Sequence, residues 1–304
     1  MLSKTCATVA FRFSSQRTAF VAASSSFGKF GSGGGLCRFA SAAAAPMDNN
    51  NNATTTVSPE SLLEHFQTTT KSSNNSMIGN NVGDAMYALY KADAVCFDVD
   101  STVIAEEGID VLADYLGKGE QVAALTKQAM EGGMKFQDAL QQRLELLQPS
   151  QQSILQLLQE QPLQLTPNID TLMNALQSKQ VDIWLVSGGF RIMIEPVASL
   201  LNISKHNIVA NTILFDEVGN YNGFDKTEPT SADMGKPKAL QQIQTQHNYR
   251  CMVMVGDGAT DAQAKPPAQA FIGFGGVIER QAVKEKADWF VTDFMDMVHI
   301  IEQR

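Results

Sequence analysis

The sequence contains no run of about 18 consecutive apolar residues, although 44% of its 304 residues are hydrophobic. A membrane-spanning helix needs roughly that length, so we expect neither such a helix nor a membrane partner. Cysteine is also scarce, with four residues and none of the Cys-x-x-Cys or Cys/His spacings that indicate zinc. Cys96 and Cys251 lie in apolar runs, which predicts buried reduced thiols and no disulfide framework.

Positive charge is sparse outside the first 47 residues. That leader holds five basic residues and no acidic one, whereas the remainder carries 18 basic against 32 acidic residues. An acidic body without a basic stripe argues against a nucleic-acid partner, and acid richness alone favours an interaction protein only weakly. An anionic substrate would need individually placed cations, for which Arg143, Lys236 and Arg280 are the candidates.

The first 80 residues differ in composition from the rest of the chain. Residues 1–47 are rich in Ser, Ala, Gly and Phe and free of acid, which is typical of an organelle transit peptide. We expect delivery to an organelle matrix, with the mitochondrion slightly favoured over the plastid. The alternative is a disordered tail on a cytoplasmic protein. Residues 48–80, rich in Asn, Thr and Ser, predict a disordered linker in which Ser58-Pro59-Glu60 could begin one short helix.

Three short apolar runs predict buried strands of a parallel sheet, at 95–97, 181–186 and 251–255. Helical patterns at 170–178 and 236–246 lie between them and fit crossover helices. This alternation predicts an α/β fold with a doubly wound, Rossmann-like parallel sheet. Ligands of such sheets bind beyond the carboxyl ends of the strands.

A second kind of structure is predicted between the first strand and its crossover. Residues 108–161 show helical periodicity in four segments, which are 108–117, 120–130, 135–148 and 150–161. Glycines and a proline separate the segments. We therefore expect an inserted four-helix cap at 108–161, dividing a catalytic core made of residues 81–107 and 162–304.

Two carboxylates, Asp98 and Asp100, directly follow the first predicted strand. A carboxylate there could attack phosphorus as a nucleophile, and its neighbour could protonate the leaving oxygen and later accept a proton from water. Two adjacent carboxyl groups in different environments can hold the different protonation states that this division of roles requires. The alternative for an isolated pair is a turn or helix cap.

The other two predicted strands end in residues suited to a phosphate and a cation. Ser187-Gly188-Gly189 offers hydroxyl and amide donors for phosphate oxygens, and Lys236 could neutralise phosphate charge. The segment Gly256-Asp257-Gly258-Ala259-Thr260-Asp261 supplies carboxylates that suit a hard cation. Magnesium fits best, bridging Asp98, the carbonyl of Asp100 and Asp257, whereas the loop lacks the ligand alternation of a calcium-binding hand.

These four blocks, in this order, resemble the motifs of the haloacid dehalogenase superfamily. From about residue 95 to 293 the chain also resembles eukaryotic phosphoserine phosphatases, for example in FDVDSTVIAEEGID, VSGGFR, GFDKTEPT and VGDGATDAQAKPPAQAFIGFGG. The resemblance implies a magnesium-dependent hydrolysis of O-phospho-L-serine, the last step of serine biosynthesis, in a monomer or homodimer. It implies roles for these residues: Asp98 (nucleophile), Asp100 (acid/base), Ser187 and Gly188 (phosphate), Lys236 (charge clamp), Asp257 (metal), Asp261 and Thr260 (support).

For the serine part of the substrate, the resemblance implies that Glu107 faces the ammonium and Arg143 the carboxylate. Met130 and Phe136 would close the pocket from the helical cap. The sequence of segment 131–136 differs from the one usual in the family. Two alternatives remain: a related phosphatase acting on another small phosphorylated amine or amino acid, such as phosphohomoserine or phosphoethanolamine, and a non-catalytic phosphoester-binding module.

Overall fold

The computed structural model describes residue 61 and residues 64–68, 78–129 and 134–304. The predicted transit peptide, most of the predicted linker and Met130 lie outside the described residues.

A six-stranded sheet forms the centre of the described chain. Its strands are β1 (Ala94–Phe97), β2 (Asp182–Phe190), β3 (Ile208–Asn211), β6 (Met252–Gly256), β7 (Ala270–Phe274) and β8 (Trp289–Val291). All neighbouring strands pair in parallel, in the order β3-β2-β1-β6-β7-β8. Between β3 and β6 the strands β4 (Ile213–Phe215) and β5 (Tyr221–Phe224) form a separate antiparallel hairpin.

The sheet is buried on both faces, as near-continuous apolar strands require. Along β1, Val95 and Phe97 belong to one hydrophobic cluster, while Cys96 belongs to a second cluster on the opposite face. Helices cover both clusters, so the predicted α/β class with a doubly wound parallel sheet is confirmed.

The helices of the described chain follow the strands in alternation over most of its length. They are α1 (Val82–Lys91), α2 (Gly108–Tyr115), α3 (Gly119–Gln128), α4 (Phe136–Leu147), α5 (Gln151–Glu160), α6 (Ile169–Ser178), α7 (Arg191–Leu200), α8 (Gly235–His247), α9 (Ala259–Ala262), α10 (Gln281–Lys286) and α11 (Met295–Glu302).

Four of these helices, α2 to α5, lie consecutively within residues 108–161, where the sequence predicts four helical segments. Local signals set their ends. Gln148 adopts a left-handed conformation (φ 46°) after α4, and Pro149 follows it. The Ser150 side chain then accepts a hydrogen bond from the Ser153 N–H (3.0 Å), which caps the start of α5.

The second strand is longer than the sequence indicates. The apolar run ends at Val186, but β2 continues through Ser187, Gly188 and Gly189 to Phe190, with an irregular register against β3. The strand therefore carries the polar Ser-Gly-Gly segment as its last part, at the edge where β1 also ends.

Part of the predicted linker packs on the core. Residues 64–68 are helical, Phe66 is buried against the ring of Tyr90, and the Gln67 amide donates to Asp84 (2.9 Å). Burial of this apolar ring supplies the stabilisation that the polar composition around it lacks. These five residues are therefore ordered within the segment predicted as a linker. No helix among the described residues is long and apolar enough to cross a membrane.

Candidate active site

The predicted site residues converge because β2, β1 and β6 are adjacent and parallel. Their carboxyl ends therefore lie at one edge of the sheet. Asp98 follows β1, Ser187 lies in the last part of β2, and Asp257 follows β6. Residues separated by more than 150 positions in sequence thus share one site.

Asp98 is held in a fixed orientation at the end of β1. Its backbone N–H donates to the carbonyl of Val255 (2.9 Å), and its Oδ1 accepts from the Val99 N–H (2.8 Å). Its Oδ2 lies 2.8 Å from Nζ of Lys236. With 12% of its side chain exposed, the carboxylate is largely desolvated and remains reachable from the edge of the sheet.

Lys236, near the start of α8, is buried and contacts two carboxylates, those of Asp98 and Asp261. Burial acts to lower the lysine pKa, but the charges and hydrogen bonds of Asp261 and Asp98 outweigh it, so that the pKa is raised. The lysine therefore remains a cation in the site. Asp261 also accepts from the Gly258 N–H (2.9 Å), which fixes it beneath the lysine.

Asp100 occupies a different environment from Asp98. Its Oδ1 accepts from the N–H of Gly108 (2.7 Å), and its Oδ2 accepts from the Ser187 hydroxyl (3.3 Å). Burial, followed by the nearby charges of Asp98 and Glu107, raises the pKa of Asp100 to about 7. Two neighbouring carboxyl groups are thus held under different conditions, as a division between a nucleophile and an acid/base group requires.

The Ser-Gly-Gly segment lies close to Asp100. The Ser187 hydroxyl accepts from the Gly189 N–H (2.8 Å), and a Cβ on Gly189 would lie 2.6 Å from Oδ2 of Asp100. A side chain at position 189 would therefore displace the carboxylate. The Gly188 carbonyl accepts from the buried Asn211 amide (2.7 Å), which anchors the segment to the end of β3.

Three buried carboxylates form a candidate metal centre. Ligand oxygens of Asp98, Asp257 and Asp261 all lie within 4.8 Å of one another. Lys236 offsets part of this charge, and the Arg280 guanidinium contacts Asp257 from the loop after β7. Buried carboxylates at this density need further positive charge, and an all-oxygen donor set suits a hard divalent cation.

Of the residues expected to recognise the serine part, Glu107 lies near Asp100, whose pKa its charge acts to raise. Glu107 accepts from the Ser101 hydroxyl (2.8 Å) and lies 3.4 Å from the Arg280 guanidinium. Burial lowers the pKa of Arg143, while the charges of Asp110 and Glu107 act to raise it.

Phe136, at the start of α4, lies over the Ser-Gly-Gly segment, because a Cβ on Gly188 would come 3.1 Å from its ring. The Phe136 ring thus lies against the same Ser-Gly-Gly segment whose Gly189 is next to Asp100. Arg143, further along α4, donates from Nε to the Ala139 carbonyl of its own helix (3.1 Å). Thr260 is exposed and Asp261 is buried, so these two neighbouring predicted residues differ in environment.

Several contacts escaped the sequence analysis. The Thr102 hydroxyl lies 3.4 Å from Oδ1 of Asp257, and Ser101 adopts a left-handed conformation (φ 52°) that turns the chain after the two aspartates. Arg280 was proposed only as a cation and not as a site residue. Its position after the apolar run 270–274 was the available signal, because that run is another strand ending at the same edge.

Comparison with known proteins agrees with this geometry. The model of the haloacid dehalogenase-like hydrolase family matches residues 92–265, more than half of the chain. The phosphoserine phosphatase of Bos taurus is 50% identical over 213 residues, which cover 70% of this chain and 95% of the bovine protein. The chain belongs to the phosphoserine phosphatase family. This confirms the resemblance inferred from the motifs.

Two further members of the phosphoserine phosphatase family extend the comparison. A protein of Arabidopsis thaliana named "Phosphoserine phosphatase, chloroplastic" is 46% identical, with 70% of this chain and 72% of that protein covered. A solved structure described as a phospho-aspartyl intermediate analogue of phosphoserine phosphatase superposes with a TM-score of 0.59 at 26% identity. It covers 68% of this chain and 98% of its own.

Proposed function

We propose that this protein hydrolyses O-phospho-L-serine to L-serine and phosphate through a phosphoryl group carried on Asp98. The observation that carries the proposal is the arrangement of Asp98 between Lys236 and the Val99 N–H, with Asp100 and Ser187 beside it. The 50% identity to a phosphoserine phosphatase supports the substrate assignment.

In the first step, an Asp98 carboxylate oxygen attacks phosphorus, and the bond from phosphorus to the seryl oxygen breaks. Lys236 offsets the charge of the phosphate that approaches Asp98. Ser187 and the Gly188 amide donate to the phosphate oxygens. Asp100, whose pKa of about 7 keeps part of it protonated near neutral pH, donates its proton to the leaving seryl oxygen.

In the second step, Asp100 accepts a proton from water, and the resulting hydroxide oxygen attacks phosphorus. The bond between phosphorus and the Asp98 oxygen breaks, which releases phosphate and restores the carboxylate. The same carboxyl group is therefore acid in one step and base in the next, which requires that its pKa lie near the working pH.

Mg²⁺ is the cofactor that we propose for this site. Asp98, Asp257 and the backbone carbonyl of Asp100 would hold it, while Asp261 and the adjacent Thr260 support the arrangement and Asp261 anchors Lys236. When bound, the ion neutralises phosphate charge at the reacting centre. The donor set fits, because the clustered carboxylates present oxygen ligands and exceed the charge of Lys236.

We assign substrate selection to the helical segment 108–161, acting as a cap over the core formed by 81–107 and 162–304. Arg143 would bind the serine carboxylate with two parallel hydrogen bonds, and Glu107 would bind the ammonium. Phe136 would cover the phosphate-binding segment and exclude water. Met130 belongs to the same proposal and lies outside the described residues.

Phosphate release with magnesium tests the reaction and the substrate together. The full chain is compared on phosphoserine, phosphohomoserine, phosphoethanolamine and phosphothreonine, with Asp98→Asn as the inactive control. Preference for phosphoserine that disappears in the variant supports the proposal. Preference for another ester would change the substrate assignment. No phosphate release from any of the four esters would favour a phosphoester-binding module.

Arg143→Ala separates carboxylate recognition from a structural effect. Because phosphoethanolamine has no carboxylate, its hydrolysis should change little. The value of kcat/KM for phosphoserine should fall by roughly ten- to a hundredfold, as expected for loss of a hydrogen bond to a charged group. Glu145→Ala, at an exposed position on the same helix, is the matched control. Equal losses on both esters would contradict the assignment.

We also propose that residues 1–47 direct the protein to an organelle matrix. The composition of this segment and the chloroplastic designation of the Arabidopsis relative support a targeting role. A fluorescent protein fused behind residues 1–47 should enter an organelle, whereas uniform cytoplasmic fluorescence would contradict the proposal. We expect the small-molecule substrate phosphoserine as the binding partner. We also expect the protein to be a monomer or a homodimer.

A further inference from the structure

A hydrogen bond joins the helical segment to the core at the start of α4. The backbone N–H of Phe136, the first residue of that helix, donates to the Asp233 carboxylate (3.2 Å) across 97 positions of sequence. The side chain of Lys135, the residue before α4, makes no capping hydrogen bond. A negative charge at a helix N-terminus is favourable because the first N–H groups lack partners within the helix.

The segment that carries Asp233 is tied to the phosphate-binding residues. Three positions before Asp233, the Thr230 hydroxyl donates to Oδ1 of the buried Asn211 (3.1 Å), whose amide donates to the Gly188 carbonyl (2.7 Å). Three positions after Asp233 lies Lys236, which binds Asp98. Asp233 is therefore an exposed side chain on a segment anchored at both ends in the candidate active site.

Phe136 contacts the core in two ways, because its ring lies against Gly188 and its N–H donates to Asp233. The start of α4 is therefore held both at the Ser-Gly-Gly segment and at the segment that carries Asp233. A second link between α4 and the core, Nζ of Lys226 to Oε1 of Gln141 (3.4 Å), lies further along the helix. Arg143 occupies the same helix, so the position of α4 sets where the guanidinium lies.

We propose that Asp233 is a positioning residue, which caps α4 from the core and thereby holds Phe136 and Arg143 in place for the substrate. The kinetic part of this inference rests on the proposed function. Asp233 touches neither the reacting atoms nor the candidate metal ligands in the described structure. Its loss should therefore weaken substrate binding and leave the chemical step intact.

The kinetic test compares the full chain with Asp233→Ala and Asp233→Asn. Loss of an N-terminal cap of about 1 kcal/mol should raise KM for phosphoserine about fivefold, with kcat within about twofold. Asp233→Asn keeps an acceptor oxygen, so its KM should stay close to that of the parent. Glu217→Ala, in the exposed turn between β4 and β5, is the control and should match the parent. A fall in kcat with unchanged KM would overturn the proposal.

Amide hydrogen exchange tests the same inference without using activity. Peptides that contain the Phe136 amide should exchange about fivefold faster in Asp233→Ala than in the parent, and at the parent rate in Asp233→Asn. Unchanged exchange in Asp233→Ala, or equally fast exchange in Asp233→Asn, would overturn the proposal. If the parent hydrolyses no phosphoserine but shows this exchange pattern, the proposed substrate fails and the positioning role stands.

Discussion

Replacing Lys236 by methionine removes a buried positive charge that two carboxylates share. The lysine side chain is 7% exposed, its Nζ lies 2.8 Å from Asp98, and it also contacts the buried Asp261. Methionine fills a similar volume, so the substitution chiefly removes charge and hydrogen bonds. Asp98 and Asp261 then remain in a poorly solvated site with less compensation.

The expected loss follows from the burial of this pair. Removing one partner of a buried ion pair costs about 3–5 kcal/mol, because the remaining charge is left without its counterion. An exposed pair contributes only about 0–1 kcal/mol, since water already solvates its members. The pair of Lys205 with Glu195 is such a case, at 2.7 Å and with 65% and 32% of the side chains exposed.

Urea unfolding of Lys236→Met and Lys205→Met, both in EDTA, makes a matched comparison of lysines at similar distances from their partners. Lys236→Met should lose about 3–5 kcal/mol of unfolding free energy and Lys205→Met at most about 1 kcal/mol. Adding Asp98→Asn to Lys236→Met should recover part of the loss, because it removes one uncompensated charge. Similar losses in the two single variants, or no recovery in the double variant, would refute this reasoning.

Three further predictions concern the geometry of the site and its packing. Gly189→Ala should reduce kcat by up to about a hundredfold, because the new Cβ would lie 2.6 Å from Oδ2 of Asp100. Steady-state kinetics measures this, and a kcat equal to that of the parent would contradict the contact. Saturating Mg²⁺, at about a hundred times its Kd, should stabilise the parent by about 2.7 kcal/mol and leave Asp257→Asn almost unchanged. Calorimetry of both proteins measures this, and an equal shift in the two would remove Asp257 from the metal site. Phe66→Ala should destabilise the fold by about 3 kcal/mol in urea, and a change below about 0.5 kcal/mol would show that residues 64–68 do not pack on the core.

The residues at the carboxyl ends of the strands were predictable from sequence because each follows a short apolar run. These residues are Asp98, Ser187 and Asp257, and parallel pairing brings the ends of their strands to one edge of the sheet. The sequence pattern alone was therefore sufficient to predict that Asp98, Ser187 and Asp257 lie together. The four helical segments of 108–161 were predictable for a similar reason, since glycines and a proline separate them.

The remaining elements lacked such signals. Strands β3 and β8 are four and three residues long, and apolar runs this short fit helix or strand equally well, whereas the run 270–274 of β7 was a usable signal. The contact of Gly189 with Asp100 and the cap from Asp233 to Phe136 depend on how distant segments pack, which periodicity does not reveal. Residues 64–68 pack on the core because the burial of one aromatic ring, Phe66, outweighs the polar residues around it.

The central claim is that Asp98 carries the phosphoryl group of phosphoserine. The most direct measurement mixes the magnesium-loaded protein with phosphoserine, quenches in acid within one turnover, and maps the added phosphoryl mass by peptide mass spectrometry. The added mass should appear on the peptide that contains Asp98 and should be absent in Asp98→Asn. Rapid release of serine and phosphate with no modified Asp98 peptide, or with the mass on another residue, would contradict it.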